Sequence, residues 1–245
     1  MKIAILGYGK MGHLIEKVAI KSGYEITVII DNEDDWIRKI DDFQKVDVAI
    51  DFSMPSVAVN NIKRTLKLNI PIVIGTTGWL DNLNEIETEC NNKSGKILYG
   101  ANFSIGVNIL FKLNNHLTKL MNNYSNYQVS MREIHHIHKK DAPSGTAIHI
   151  AQNIINNSKN LDNWKLVNDT YENNNNNIIP ITAVRKDDIP GTHEIFWTSN
   201  VDQIEIKHTA YSREGFAQGA ILAARWLLDK PCGIYEFSQI FDNIQ

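Results

Sequence analysis

Residues Arg132 to Lys140 read R-E-I-H-H-I-H-K-K, and three of the eight histidines of the chain fall there, at His135, His136 and His138. His135 and Lys139 are four apart, a spacing that puts both on one side of either a strand or a helix. Crowded cations favour the neutral forms of their side chains, and a neutral or readily deprotonated His or Lys suits proton exchange with a reacting group. Asp141-Ala142-Pro143-Ser144-Gly145-Thr146 follows directly. Ser144 is a good N-cap for a helix with Ala147, Ile150, Ala151, Ile154 and Ile155 as its apolar stripe. The free N–H groups of that helix start, with nearby hydroxyls, form an anion site beside the cationic stretch. The chemistry on offer is binding of a small carboxylate or phosphate and delivery of a proton to it. A solvated strand surface, a metal site or an oligomer contact would use the same residue types. Lys139 and Lys140 would repel a cation, so no metal is expected.

A second constellation lies at the N-terminus. Gly7-Tyr8-Gly9-Lys10-Met11-Gly12 fits G-x-G-x-x-G, follows the apolar run Ile3 to Leu6 and opens a helical pattern. In such a loop the first glycine permits the tight turn, the second lets backbone approach a pyrophosphate, and the third allows close helix–strand packing. Asp31 ends the next apolar run and is placed to accept hydrogen bonds from an adenosine ribose. Its carboxylate would repel a 2′-phosphate and so favours NAD over NADP, whereas Lys10 could pair with such a phosphate. Gly75-Thr76-Thr77-Gly78 follows the run Ile70 to Ile74. It is either an ordinary turn or a place where backbone approaches a nicotinamide or its ribose.

The elements that must position these residues divide the chain in two. Up to about residue 103, short apolar runs (3–6, 26–30, 46–52, 70–74, 96–99) alternate with helical patterns, including 55–68 from Pro55 and 80–90. That alternation predicts a parallel sheet covered on both faces. From Ser104 a helix carrying Val107, Leu110, Leu113, Leu117 and Leu120 on one side is expected. Longer, more polar strands follow at 128–135, 178–186, 192–199 and 203–210, with Asn200-Val201-Asp202 as a hairpin turn. The expected architecture is α/β: an N-terminal Rossmann-type dinucleotide-binding domain, residues 1–103, completed by 214–245 with a helix from Glu214 to Leu228. A C-terminal α+β domain with a mixed or antiparallel sheet, residues 104–213, is expected to bind substrate and form oligomers. The Asn-rich stretch 156–177 reads as a solvated loop.

The chain has 245 residues and a formal net charge of −3, which argues against a broad nucleic-acid surface. Its apolar runs fall far short of the roughly 20 residues that span a bilayer. The run after Met1-Lys2 stops at Gly7, too early for a signal peptide. Two cysteines, Cys90 and Cys232, cannot form a disulfide framework. No nucleic-acid or membrane partner is expected, and a cytoplasmic protein is.

On its motifs the sequence resembles the 4-hydroxy-tetrahydrodipicolinate reductase (dihydrodipicolinate reductase) family. They are GYGKMG, the DFS of Asp51 to Ser53, GTTGW from Gly75, ANFSIGVN from Ala101, HTAYSREGFAQGA from His208 and, most specifically, EIHHIHKKDAPSGTA from Glu133 to Ala147. The resemblance implies hydride transfer from NAD(P)H to a cyclic imine-type dicarboxylate in diaminopimelate and lysine biosynthesis. It implies His135 as proton donor or acceptor, Lys139 as proton donor, and His136 with Ser144, Gly145 and Thr146 as binders of substrate carboxylates. Gly7, Tyr8, Gly9, Lys10, Met11, Gly12, Asp31, Gly75, Thr76, Thr77, Gly100, Ala101, Asn102 and Phe103 would hold the cofactor. It further implies a homotetramer formed through the C-terminal sheet, and hinges near Asn102 to Ser104 and His208 to Gly215. The short glycine loop, Ile137 where several relatives place Arg, and Asn32 after Asp31 depart from the common pattern. They bear on the cofactor, for which NADH is expected with NADPH also usable. The central segment argues against a different two-domain dehydrogenase and against a non-catalytic NADH sensor. His13, His116 and His149 fall on expected helices without a role, and His193 and His208 stay unassigned.

Overall fold

A computed structural model describes residues 1–168 and 177–242. In chain order the elements are β1 (Lys2–Leu6), α1 (Lys10–Lys21), β2 (Glu25–Ile30), α2 (Glu33–Arg38), α3 (Ile40–Phe43), β3 (Val48–Asp51), α4 (Pro55–Lys67) and β4 (Ile72–Ile74). Then come a 3₁₀ turn (Leu80–Asn82), α5 (Leu83–Asn92), β5 (Lys96–Tyr99), α6 (Ile105–Met121), β6 (Gln128–His135), α7 (Gly145–Asn157) and β7 (Asn163–Val167). β8 (Ile178–Arg185), β9 (Gly191–Thr198), β10 (Gln203–Ala210), α8 (Glu214–Leu228), β11 (Gly233–Glu236) and a 3₁₀ turn (Phe237–Phe241) complete the described chain. They fall into two compact units, Met1–Ile105 with Glu214–Gln245, and Gly106–Arg213. None of the described helices is long and apolar enough to cross a membrane.

The first unit is a parallel sheet in the order β11-β5-β4-β3-β1-β2. Successive strand residues face opposite ways, so Ile3, Ile5, Ile50, Val73 and Leu98 pack in one layer with α1 and α8. Ala4, Leu6, Ala49, Ile72, Ile74 and Ile97 pack in the other with α4 and α5. Both faces are covered, which is why these strands are apolar without alternation. β11 has no counterpart among the expected strands. It is a four-residue edge strand held by parallel pairing with β5.

The second unit is a mixed sheet in the order β10-β9-β6-β8-β7, with β6 parallel to β8 and antiparallel to β9. One face carries Val129, Met131, Ile179, Ile181, Ile195 and Trp197 against α7 and part of α6. Two expectations are corrected here. On α6, Leu113 and Leu120 are about half exposed, at 55% and 50%. The buried side instead combines Val107, Leu110 and Met121 with Asn108, Asn114 and Thr118. Within the Asn-rich stretch, 163–167 is the strand β7, paired in parallel with β8. Backbone pairing makes this half-exposed edge strand, and its side chains carry little apolar signal. Residues 169–176 of that stretch lie outside the described residues.

The glycine loop shows how closely α1 is seated. A Cβ on Gly12 would lie 2.4 Å from the Gly7 carbonyl oxygen, whereas a Cβ on Gly9 would meet nothing within 4 Å. Gly12→Ala is therefore expected to cost about 1–3 kcal/mol through overpacking. That lowers Tm by about 2–10 °C in a chain of this size. Gly9→Ala should leave Tm within about a degree. Equal melting temperatures for both variants in a calorimetric scan would contradict this account of the loop.

Candidate active site

The loops at the carboxyl ends of the parallel strands hold the sequence-predicted nucleotide residues, the end where open α/β sheets bind ligands. Gly7 follows β1 with φ of +85°, a left-handed conformation that glycine tolerates best. Its N–H donates to the Ile30 carbonyl at 2.8 Å, tying the loop to the end of β2. Gly9 is the N-cap of α1 and offers no side chain to the first-turn N–H groups, so those donors face the open space above Gly9. Asp31 accepts the Tyr8 N–H at 2.6 Å, and its own N–H donates to Asp35. The Tyr8 hydroxyl donates to Glu16, and its ring lies 3.9 Å from that of His13. Lys10 is exposed and Met11 packs on the core.

Two predicted cofactor residues are committed to the protein instead. Thr76 is buried, and its hydroxyl donates to Asp51 at 2.6 Å while accepting the Ser53 N–H at 2.8 Å. Asp51, with no exposure, also accepts from Ser53 and Asn61, and Asn61 accepts the Trp36 indole N–H. This buried network fixes the loop after β4 to the end of β3. Thr77, in that loop, is exposed. Phe103 is buried between Phe52 and Phe237, so it anchors the segment after β5 from within the core. In that segment Gly100 abuts Phe237, Ala101 is exposed, and Asn102 accepts the Ser104 N–H.

In the second unit, His135 is the last residue of β6 and is 7% exposed. Lys139 is not on the same element. It sits in the turn after β6, so strand or helix periodicity does not relate it to His135. Its ammonium pairs with Asp141 at 2.8 Å, which offsets the repulsion expected among the clustered cations. The turn is pinned by Lys186 N–H to His135 O, Ile137 N–H to Asp187 O, and Arg185 Nε–H to Lys139 O. His136 is half-buried beside it.

Ser144 caps α7 as predicted, its hydroxyl accepting the Ala147 N–H at 3.2 Å. It is 2% exposed and its oxygen also lies 3.2 Å from His193 Nε2, so the side chain faces the protein. Gly145 is exposed with nothing within 4 Å of a Cβ position, and Thr146 is half-buried after it. The helix start that a small anion can reach is therefore at Gly145 and Thr146.

Three residues that sequence reasoning left without a role complete the site. Glu133 has no exposure and lies two residues before His135 on the same face of β6. Its carboxylate accepts the Ser144 N–H at 3.0 and 3.1 Å and Arg185 Nη2–H at 3.0 Å. His135 Nδ1 is 3.3 Å away and His193 Nε2 3.9 Å. Burial pushes the Glu133 carboxyl up, but the side chains of His135, Ser144 and Arg185 outweigh it and hold the pKa at about 2. His193, cross-strand from Glu133, is lowered to about 4, first by burial and then by the neighbouring His135, so it is neutral at pH 7. The period-two spacing of Glu133 and His135 was the available signal. Arg185 and His193 come from distant strands and had none. Glu133, His135 and His193 each offer a donor atom within 4.8 Å of the others. With the Arg185 guanidinium bonded to Glu133, this is a poor set for a divalent cation.

Comparison with known proteins follows the same division. Residues 1–103 match the family model for the dihydrodipicolinate reductase N-terminus, and 106–241 match that for its C-terminus. A 4-hydroxy-tetrahydrodipicolinate reductase of Christiangramia forsetii is 42% identical over 100% of this chain and 99% of that protein. One of Rickettsia bellii is 36% identical over 96% of this chain and 92% of its own. A dipicolinate-bound dihydrodipicolinate reductase from Paenisporosarcina has the same fold. Its TM-score is 0.78 at 22% identity, over 98% of this chain and 99% of that one. Matched across both units, this chain belongs to the dihydrodipicolinate reductase family.

Proposed function

We propose that the chain catalyses NAD(P)H-dependent reduction of 4-hydroxy-tetrahydrodipicolinate to tetrahydrodipicolinate, a step of diaminopimelate and lysine biosynthesis. The observation that carries this reading is the junction of the His135–Lys139 turn with the open start of α7 at Gly145. There, proton donors and an anion site stand on one unit of a chain whose relatives bear that name.

The first unit fits a nicotinamide dinucleotide. The uncapped N–H groups after Gly9 suit a pyrophosphate, and Asp31 suits ribose hydroxyls. When bound, such a cofactor supplies the hydride. NADH is the preferred form, with NADPH usable. Glu33, Asp34 and Asp35 crowd the first turn of α2 beside Asp31. The cations of that helix and its C-cap are spent on it, Lys39 on Asp35 at 2.7 Å and Arg38 on Asp34 at 3.6 Å, which leaves Lys10 to make NADPH usable. A 2′-phosphate would thus meet a negative surface.

In the second unit, Gly145, Thr146 and His136 hold the carboxylates of a small dicarboxylate substrate, with Ser144 shaping the turn from behind. His135 and Lys139 exchange the proton that accompanies reduction. Water leaves from the hydroxylated carbon as the ring becomes the unsaturated species that accepts hydride. The second sheet also forms the contact of a homotetramer. Its face away from α6 and α7 presents Ser130, Ile134, Thr182, Val184 and Phe196, only partly buried, beside an exposed Arg132, which supports this assignment.

Substrate made in place from pyruvate and aspartate semialdehyde by the preceding synthase should drive oxidation of NADH, and more slowly of NADPH. Absence of enzyme-dependent oxidation beside an active control reductase would refute the activity. Asp31→Ala should narrow the NADH preference, and an unchanged ratio would remove its ribose role. His135→Ala and Lys139→Ala should each lower kcat by about 100-fold or more with NADH affinity nearly kept. Unchanged turnover in both would end the proton-donor assignment. Light scattering of the eluting protein should give a mass near four times 27.8 kDa, and a monomer at micromolar concentration would exclude the tetramer.

A further inference from the structure

Glu133 is a fully buried charged group of the second unit, and the proposed reaction gives it no role. A carboxylate without exposure is costly unless several donors repay its lost hydration. Here the groups around it come from four elements, and two of them, α7 and β8, supply its hydrogen bonds. The Ser144 N–H is the start of α7, Arg185 is the last residue of β8, His135 ends β6, and His193 stands opposite on β9. Arg185 extends the contact by donating to the carbonyls of Lys139 and Asp141. One carboxylate thus holds both ends of the 136–143 turn that carries His136 and Lys139.

The geometry at His135 is specific. Its Nδ1 is buried, makes no hydrogen bond of regular geometry and has the Glu133 carboxylate 3.3 Å away, while its Nε2 lies toward Gly191, where a Cβ would approach to 2.9 Å. Gly191 leaves the room that this ring orientation needs. The ring is flanked by His193, edge-on at 5.1 Å, which spends Nε2 on the Ser144 hydroxyl. A carboxylate beside one ring nitrogen selects the tautomer with the proton on that nitrogen and leaves the other to exchange protons.

We propose that Glu133 is a positioning residue of the reaction, which fixes His135 as the Nδ1–H tautomer with Nε2 as its proton-exchanging atom and locks the substrate turn to the start of α7. The inference rests on the reading of His135 as a proton-exchanging residue. Arg185 is the second half of the device, since it satisfies the carboxylate from the side that His135 does not.

The test separates this inference from the activity itself. Long-range ¹H–¹⁵N correlation spectra of ¹⁵N-histidine-labelled protein without substrate report the tautomer of each ring, with His135 assigned from the signal lost in His135→Asn. The expected result is Nδ1 protonated in the wild-type protein. A neutral ring protonated on Nε2 overturns the proposal, whether or not any variant folds and whatever the protein reduces. Glu133→Gln keeps the shape but offers an amide donor to Nδ1. It should move the His135 signal toward the Nε2–H form and lower kcat by about 100-fold, with the Kd for NADH within twofold of wild type. Retained turnover, or lost turnover with an unmoved His135 signal, would overturn the positioning role.

Discussion

A carboxylate sealed from water must be repaid by its neighbours, and in the second unit that requirement organises everything near the histidines. Glu133 meets a main-chain N–H, a guanidinium and two imidazoles. The N–H and the guanidinium carry its hydrogen bonds, and without them the unpaired buried charge would cost several kcal/mol. Its neighbours reside on β6, β8, β9 and α7, so one buried side chain brings four elements to a common point. The 136–143 turn is stretched between two of them. Its conformation follows from the electrostatics behind it more than from its own sequence.

The first unit works on an opposite plan. Its ligand end is built from backbone: Gly7 in a left-handed turn, Gly9 without a side chain, Gly12 pressed on the Gly7 carbonyl. Side-chain chemistry sits one layer behind, where Asp51, Ser53, Asn61 and Thr76 tie the ends of β3 and β4. The two units thus present different surfaces to ligands. One offers N–H donors that suit a diphosphate, and the other offers clustered histidine, lysine and arginine side chains.

Much of this was legible in the sequence because burial leaves a period. The strands of the first sheet are covered on both faces and read as unbroken apolar runs. The cap at Ser144 and the glycine loop are local chemistry, visible within a few residues. What escaped was held by pairing or distance. β7 and β11 are edge strands made by backbone bonds to one neighbour. α6 buries Asn108, Asn114 and Thr118 while exposing Leu113 and Leu120, against any hydropathy pattern. Arg185 and His193 join Glu133 from strands far along the chain. Thr76, Phe103 and Ser144 lie at the expected loops, but their side chains turn inward, a choice that spacing alone does not reveal.

The pairing of β6 with β9 carries a further consequence. On one face Glu133 opposes His193, and on the other Arg132 opposes Glu194, which also binds Lys207. Slipping the two strands by one residue in one direction would set Glu133 against Glu194 and Arg132 against Ile195. Slipping them in the other direction would set Arg132 against His193 and Met131 against Glu194. Each misalignment buries like charges or strands a charge beside an apolar side chain. The same residues that shape the site therefore act as a checksum on strand assembly, accepting one alignment of the sheet and penalising its nearest errors.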